Sequence, residues 1–107
     1  MLFVLIGAII VSLSACSSVT PMGTAKYSAV AAEHVEVLYQ DPKRPYEIIA
    51  LLSHETATRF SSVQDAVQSC RELAAEAGAD AVIITSTFDQ TFNTAAKASG
   101  KAIKWMR

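Results

Sequence analysis

The stretch from Ser61 to Ile84 constrains this chain more than any other. It opens on Ser61-Ser62-Val63-Gln64-Asp65. Ser61 with Gln64 fits a capping box, and Ser62 with Asp65 fits one in the next frame; either satisfies the free N–H groups at a helix start. Val63, Ala66, Val67, Cys70, Leu73, Ala74 and Ala77 then recur at helical spacing. Gln64, Asp65, Gln68, Arg71, Glu72 and Glu76 fall largely on the opposite face, which is the pattern of a helix laid on a core. Gly78 stands where a helix C-terminus favours a residue of positive φ. The spacing predicts a helix over 62–77. Continuous apolar runs flank it, Ile48 to Leu52 before and Ala81 to Ile84 after, as in strands covered on both faces. Strand, helix and strand in so short a span predict a right-handed βαβ crossover with two parallel strands.

The outer segments complete the expected fold. From His34 to Tyr39 the chain alternates, with Val35, Val37 and Tyr39 on one side, as in a half-buried strand. Gln40-Asp41-Pro42-Lys43-Arg44-Pro45 is a loop by its prolines and charges. His54 to Phe60 is polar and reads as a loop or a strand extension, and Ser86 to Phe92 extends the strand after the helix. Asn93 to Gly100 is small, polar and turn-like, and Lys101 to Met106 closes the chain with Ile103 and Trp105 on one face. The expectation is an α+β fold of ββαββ order. Two hairpins are joined by one helix packed on one face of a small sheet, with one βαβ crossover, in a single domain over residues 34–107.

Residues 1–15 are of another kind. Met1 to Ala15 carries no charge, and the apolar run to Leu13 is broken only by Gly7 and Ser12. A spanning helix needs about 20 apolar residues, whereas the apolar core of a secretory signal needs ~7–15 and ends in small residues. Leu13-Ser14-Ala15-Cys16 resembles the lipobox of bacterial lipoproteins. The resemblance implies cleavage before Cys16, which would carry a covalent diacylglycerol and an N-acyl chain. It also implies a membrane-anchored protein of the cell envelope. Ser17 after the cysteine is compatible with export to the outer membrane, where the domain would face the periplasm. No Lys or Arg opens the run: either the true start lies upstream, or the free amino terminus supplies the charge. From Cys16 to residue 33, small and polar residues with Pro21 and Gly23 predict a flexible tether; the alternatives are that Tyr27 and Val30 dock on the domain and that Ala29 to Glu33 forms a helical turn.

Composition narrows the partners. The chain has 107 residues and a formal net charge of -1. No basic excess exists to neutralise a phosphate backbone, so nucleic acid is not an expected partner. With Cys16 lipidated, Cys70 is the one remaining thiol. No internal disulfide can form, and the core alone must hold the fold.

Within the domain, Tyr46-Glu47-Ile48-Ile49-Ala50 and Ala77-Gly78-Ala79-Asp80-Ala81-Val82-Ile83 resemble a pattern of small bacterial envelope proteins. One such group is the RcsF-like outer-membrane stress-sensing lipoproteins; another is the YbjQ-like family of small, ring-forming domains. The resemblance implies the fold and an envelope role, and no site residues. RcsF-like domains carry internal disulfides, which this chain lacks.

No catalytic or metal-binding pattern stands out. Cys70 falls mid-helix on the apolar face, away from the N-terminus that would lower its pKa, and reads as a buried structural thiol. His34 and His54 are separated by 20 residues in sequence with no ligand spacing, and read as surface or strand-end residues. Asp80 is expected to order the turn after Gly78. Lys43 and Arg44 form a small basic loop tip. Phe88, Phe92 and Trp105 either close the core or, if outward, form an apolar partner surface. The expected function is therefore a non-enzymatic, lipid-anchored binding or stress-sensing module with a possible envelope protein partner. Self-assembly into a ring, as a homo-oligomer, is the alternative, followed by a small metal- or ligand-binding role.

Overall fold

The computed structural model describes residues 16–23, 26–57, 61–89 and 95–106. Among these residues it is an α+β fold in which one helix packs on a five-stranded mixed sheet. The strands are β1 (Cys16–Pro21), β2 (Glu36–Leu38), β3 (Tyr46–Glu55), β4 (Ala81–Phe88) and β5 (Lys97–Trp105). Helix α1 (Val63–Glu76) lies between β3 and β4 in the chain, and a 3-10 turn covers Ala32–His34. Residues 1–15, expected to be a signal peptide ending in a lipobox, and Phe92 lie outside the described residues.

Both ends of α1 follow from the sequence. The second capping frame is the one used: the Ser62 side chain accepts the Asp65 N–H, and the Asp65 carboxylate accepts the Ser62 N–H at 2.8 Å. At the C-terminus the Ala79 N–H reaches the Ala74 carbonyl and the Gly78 N–H reaches that of Ala75, both at 3.0 Å. Gly78 has φ 80°, so this is a Schellman ending. The buried face of α1 is small: Ala66, Val67, Cys70, Ala74 and Ala75. The sheet below it is small too, with Ala50, Ala98 and Ala102 beside Leu52, Val82 and Ile84. Short side chains on both layers bring helix and sheet close together.

The sheet order is β1-β3-β5-β4-β2. β4 pairs antiparallel with β5, and β5 with β3, so β3 and β4 run parallel with β5 between them. The crossover is therefore present, but its two strands are not neighbours. The expected first hairpin is absent: β2 pairs with β4, parallel, through Glu36 to Leu38. The reason is competition for the edges of β3. β1 offers six residues and β5 nine, against three for β2, so both sides of β3 are taken by longer ladders. The loop after β2 then runs back to the start of β3 on the face opposite α1. Leu38, Tyr46, Ile48 and Trp105 close a second cluster there around Ala81, Ile83 and Ile103. Tyr46 donates to Asp41 at 2.9 Å, and Arg44 lies 4.7 Å from the Trp105 ring centroid. The basic tip is thus used, in part, to cover the sheet.

Three further expectations are corrected. The segment 16–33 is not a leash along its described length. Cys16 to Pro21 forms edge strand β1, in register from Cys16 opposite Glu55 to Pro21 opposite Ala50. The chain then stays on the domain: the Met22 N–H reaches the Ile49 carbonyl and the Val30 N–H that of Ala75, each at 2.9 Å. Tyr27 packs on the core, with the Lys104 ammonium 4.6 Å from its ring centroid. Second, β5 begins at Lys97, inside the stretch read as a turn. Ala98 and Gly100 are small because they pass beneath the helix and against β4. A Cβ on Gly100 would stand 2.7 Å from the Ile83 carbonyl oxygen. The strand expected from His34 is also shorter, since His34 belongs to the 3-10 turn.

Candidate functional site: the open end of the sheet

β4 is eight residues long and its outer neighbour β2 only three. Among the described residues the outer edge of β4 from Ile84 to Phe88 has no strand beside it. A bulge at Thr85 shifts the register there, a device common where a strand leaves its ladder. Beside this edge runs an open groove of about 240 Å³ between β4 and the start of α1. Tyr39, Val63, Gln64, Val67, Thr85 and Thr87 line it. Tyr39 is 60% exposed and flanks the groove where β2 ends. Unpaired N–H and C=O groups beside a partly apolar groove are what an added strand requires. An exposed sheet edge suits strand addition in a fold of this class, but the sequence does not mark which edge is open. The one signal for this edge was the early stop of the first alternating run, at Gln40-Asp41-Pro42.

The face of the sheet opposite α1 divides into two halves. One half is closed by the Tyr46 and Trp105 cluster. The other is open and polar: Ser18, Ser53, Ser99 and Ser86 stand in register as one row across four strands. The next row reads Cys16, Glu55, Lys97 and Phe88. Lys97 and Glu55 form an ion pair of 3.6 Å, and Phe88 is 67% exposed. Phe88 and Trp105 therefore do not form one surface. Their registers are eight residues apart along β5, about 27 Å at ~3.4 Å per residue. Trp105 belongs to the second cluster, whereas Phe88 lies beyond the serine row with no core to join.

The titratable candidates separate in the same way. Cys70 is buried, its thiol donating to the Ala98 carbonyl at 3.5 Å; burial pushes its pKa up to about 11. It is a protonated packing thiol at neutral pH. His34 is exposed in the 3-10 turn beside β2, while His54 lies near the far end of β3, so the fold does not bring them together. His54 Nδ1 lies 2.6 Å from the Ser17 hydroxyl, which ties β1 to β3. Burial lowers the His54 pKa, and the nearby Glu72 carboxylate opposes that shift. Asp80 orders its turn: its carboxylate accepts the Trp105 N–H at 2.9 Å and pairs with Lys104 at 3.7 Å. Lys104 also donates to the Gly78 carbonyl at 2.9 Å, placing a cation on the helix C-terminus. Among the described residues no group of three or more His, Cys, Asp or Glu is placed to hold a metal ion. None of their helices is long and apolar enough to cross a membrane.

No protein-family model matches the chain, and no curated protein matches it. Among solved structures, the chain is similar to the crystal structure of a Francisella virulence factor, FvfA, with a TM-score of 0.62 and 14% sequence identity. The match covers 82% of this chain and 96% of that one. At that identity the likeness is one of fold.

Proposed function

We propose that this chain is a lipid-anchored lipoprotein of the cell envelope whose domain is a non-enzymatic binding module. The lipid sits on Cys16, and the domain takes an extended segment of an envelope partner along the free edge of β4. The observation that carries the reading is that edge: five exposed or groove-lining residues, Ile84 to Phe88, outrun their neighbour beside the Tyr39 groove. Main-chain pairing would supply affinity, and the groove would select the side chains that alternate into it. The lipobox supports the address. Anchoring supplies a high effective concentration, so modest intrinsic affinity suffices.

The reading is tested in cells with a photo-reactive residue at position 87, and at position 51 as a control on the open face. The expected result is a cross-link to an envelope protein from position 87 alone, reduced by Tyr39→Asp. A cross-link between two copies of the chain would replace the partner reading with self-assembly through sheet edges. A cross-link from position 51 that matches that from 87 would move the site away from the β4 edge.

A further inference from the structure

We infer that the end of the sheet bearing Cys16 and Phe88 faces the lipid surface, holding the domain upright against the membrane. The inference rests on the proposed lipidation of Cys16. Its content is the geometry that follows once that residue is a strand residue.

A lipid on a flexible leash leaves a domain free to rotate. Here the first residue of β1 is already in ladder register, opposite Glu55. The acyl chains are joined to that residue, so the Cys16 position must lie at the membrane interface. Its row is then carried there too. Glu55, Lys97 and Phe88 follow at one strand spacing each, which places Phe88 about 14 Å from Cys16 across the sheet at ~4.8 Å per strand. Phe88 is the most exposed of the large apolar side chains described, at 67%. The serine row separates it from the second cluster, and among the described residues no core packs against it. An aromatic ring without a core, at the level of the anchor, finds its apolar environment in the lipid. The Lys97–Glu55 ion pair stands beside it at headgroup level, exposed to the polar interface.

The competing orientation lays the outer edge of β1 on the membrane, with Val19 and Met22 inward. That edge carries unpaired backbone N–H and C=O groups, which lipid cannot satisfy. The end-on orientation leaves them in water. It also places Tyr46 and Trp105 at the far end of the domain, away from the bilayer. The β4 edge then rises from the membrane surface, within reach of a membrane-embedded partner.

The test uses the full-length lipoprotein in vesicles of phosphatidylethanolamine and phosphatidylglycerol, with and without brominated acyl chains. Phe88→Trp is made in a Trp105→Phe background, with Val19→Trp in the same background and the parent as comparisons. The Phe88→Trp variant is expected to lose most of its indole emission to the brominated lipid. The Val19→Trp variant should lose less, and Trp105 in the parent should keep its emission. An unquenched indole at position 88, on a chain whose mass shows acylation at Cys16, overturns the inference and leaves the lipoprotein reading standing. Stronger quenching at position 19 than at position 88 overturns it in favour of the edge-on orientation. A chain without acyl mass overturns both. Circular dichroism of each variant confirms that the fold is retained; Phe88 and Val19 are both exposed, so neither change removes core.

Discussion

Gly78 shows how much one residue can carry. It closes the helix at φ 80°, and a Cβ there would stand 2.5 Å from the Ser28 carbonyl oxygen and 2.6 Å from the Tyr27 Cβ. Gly23 has nearly the same φ, 79°, and nothing within 4 Å. The pair separates backbone strain from steric conflict. Gly23→Ala should cost about 1 kcal/mol, the strain of a left-handed alanine. Gly78→Ala should cost about 2–3 kcal/mol, since the segment at Tyr27 and Ser28 must also move off the helix end. Urea unfolding of the two variants checks this, and equal losses would show that the 27–28 segment yields freely. The first half of this account is legible in the sequence, where Gly78 follows an amphipathic helix. The second half is not. Tyr27 reads as a residue able to dock on the domain, but nothing in the sequence says that it does so over a helix end about 50 residues away.

Among the elements, legibility followed packing context. α1 was readable because its cap, its stripe and its stop are all local. β4 was readable because four consecutive apolar residues need cover on both faces. β1 and the start of β5 were missed for one reason: Cys16-Ser17-Ser18 and Lys97-Ala98-Ser99-Gly100 are small and polar, the composition of loops. In β1 such residues suffice because the ladder with β3 and the Ser17–His54 contact supply the order. In β5, Ala98 and Gly100 are required because helix and neighbouring strand leave no room there. The β1–β3 junction should also respond to pH. Burial holds the His54 pKa below its ordinary value in the fold, against the pull of Glu72, while the unfolded chain titrates near the usual value of about 6.5. Above that pH both states are neutral and stability is unaffected. As pH falls through it, the unfolded state takes a proton that the folded state resists, so stability is lost until the folded pKa is reached. The melting temperature should therefore drop from about pH 7.5 to about pH 5 more in the parent than in His54→Gln, which keeps a polar partner for Ser17. A difference between the two that stays constant with pH would show that His54 does not couple to folding.

At the scale of the whole molecule, the decisive feature is where the ordered domain begins relative to the proposed anchor. A resemblance to a lipobox can be read from four residues, but the distance from the proposed anchor to the domain depends on whether the six residues of β1 pair with β3. That pairing is a tertiary fact. If it holds the sheet end on the membrane, the constraint should be removable without harming the fold. A Gly/Ser spacer of about ten residues, inserted between Cys16 and Ser17 with serine kept after the cysteine, reaches roughly 17 Å on average. β1 would keep most of its register, since Ser17 to Pro21 still face His54 to Ala50. The urea midpoint should stay close to that of the parent. In the Phe88→Trp, Trp105→Phe background, quenching by brominated lipid should fall sharply, because a domain on a leash samples orientations that lift the indole at position 88 away from the bilayer. If the quenching persists at full strength through the spacer, the aromatic ring at that position binds the bilayer by its own affinity, and the rigid connection at Cys16 is not what orients the domain.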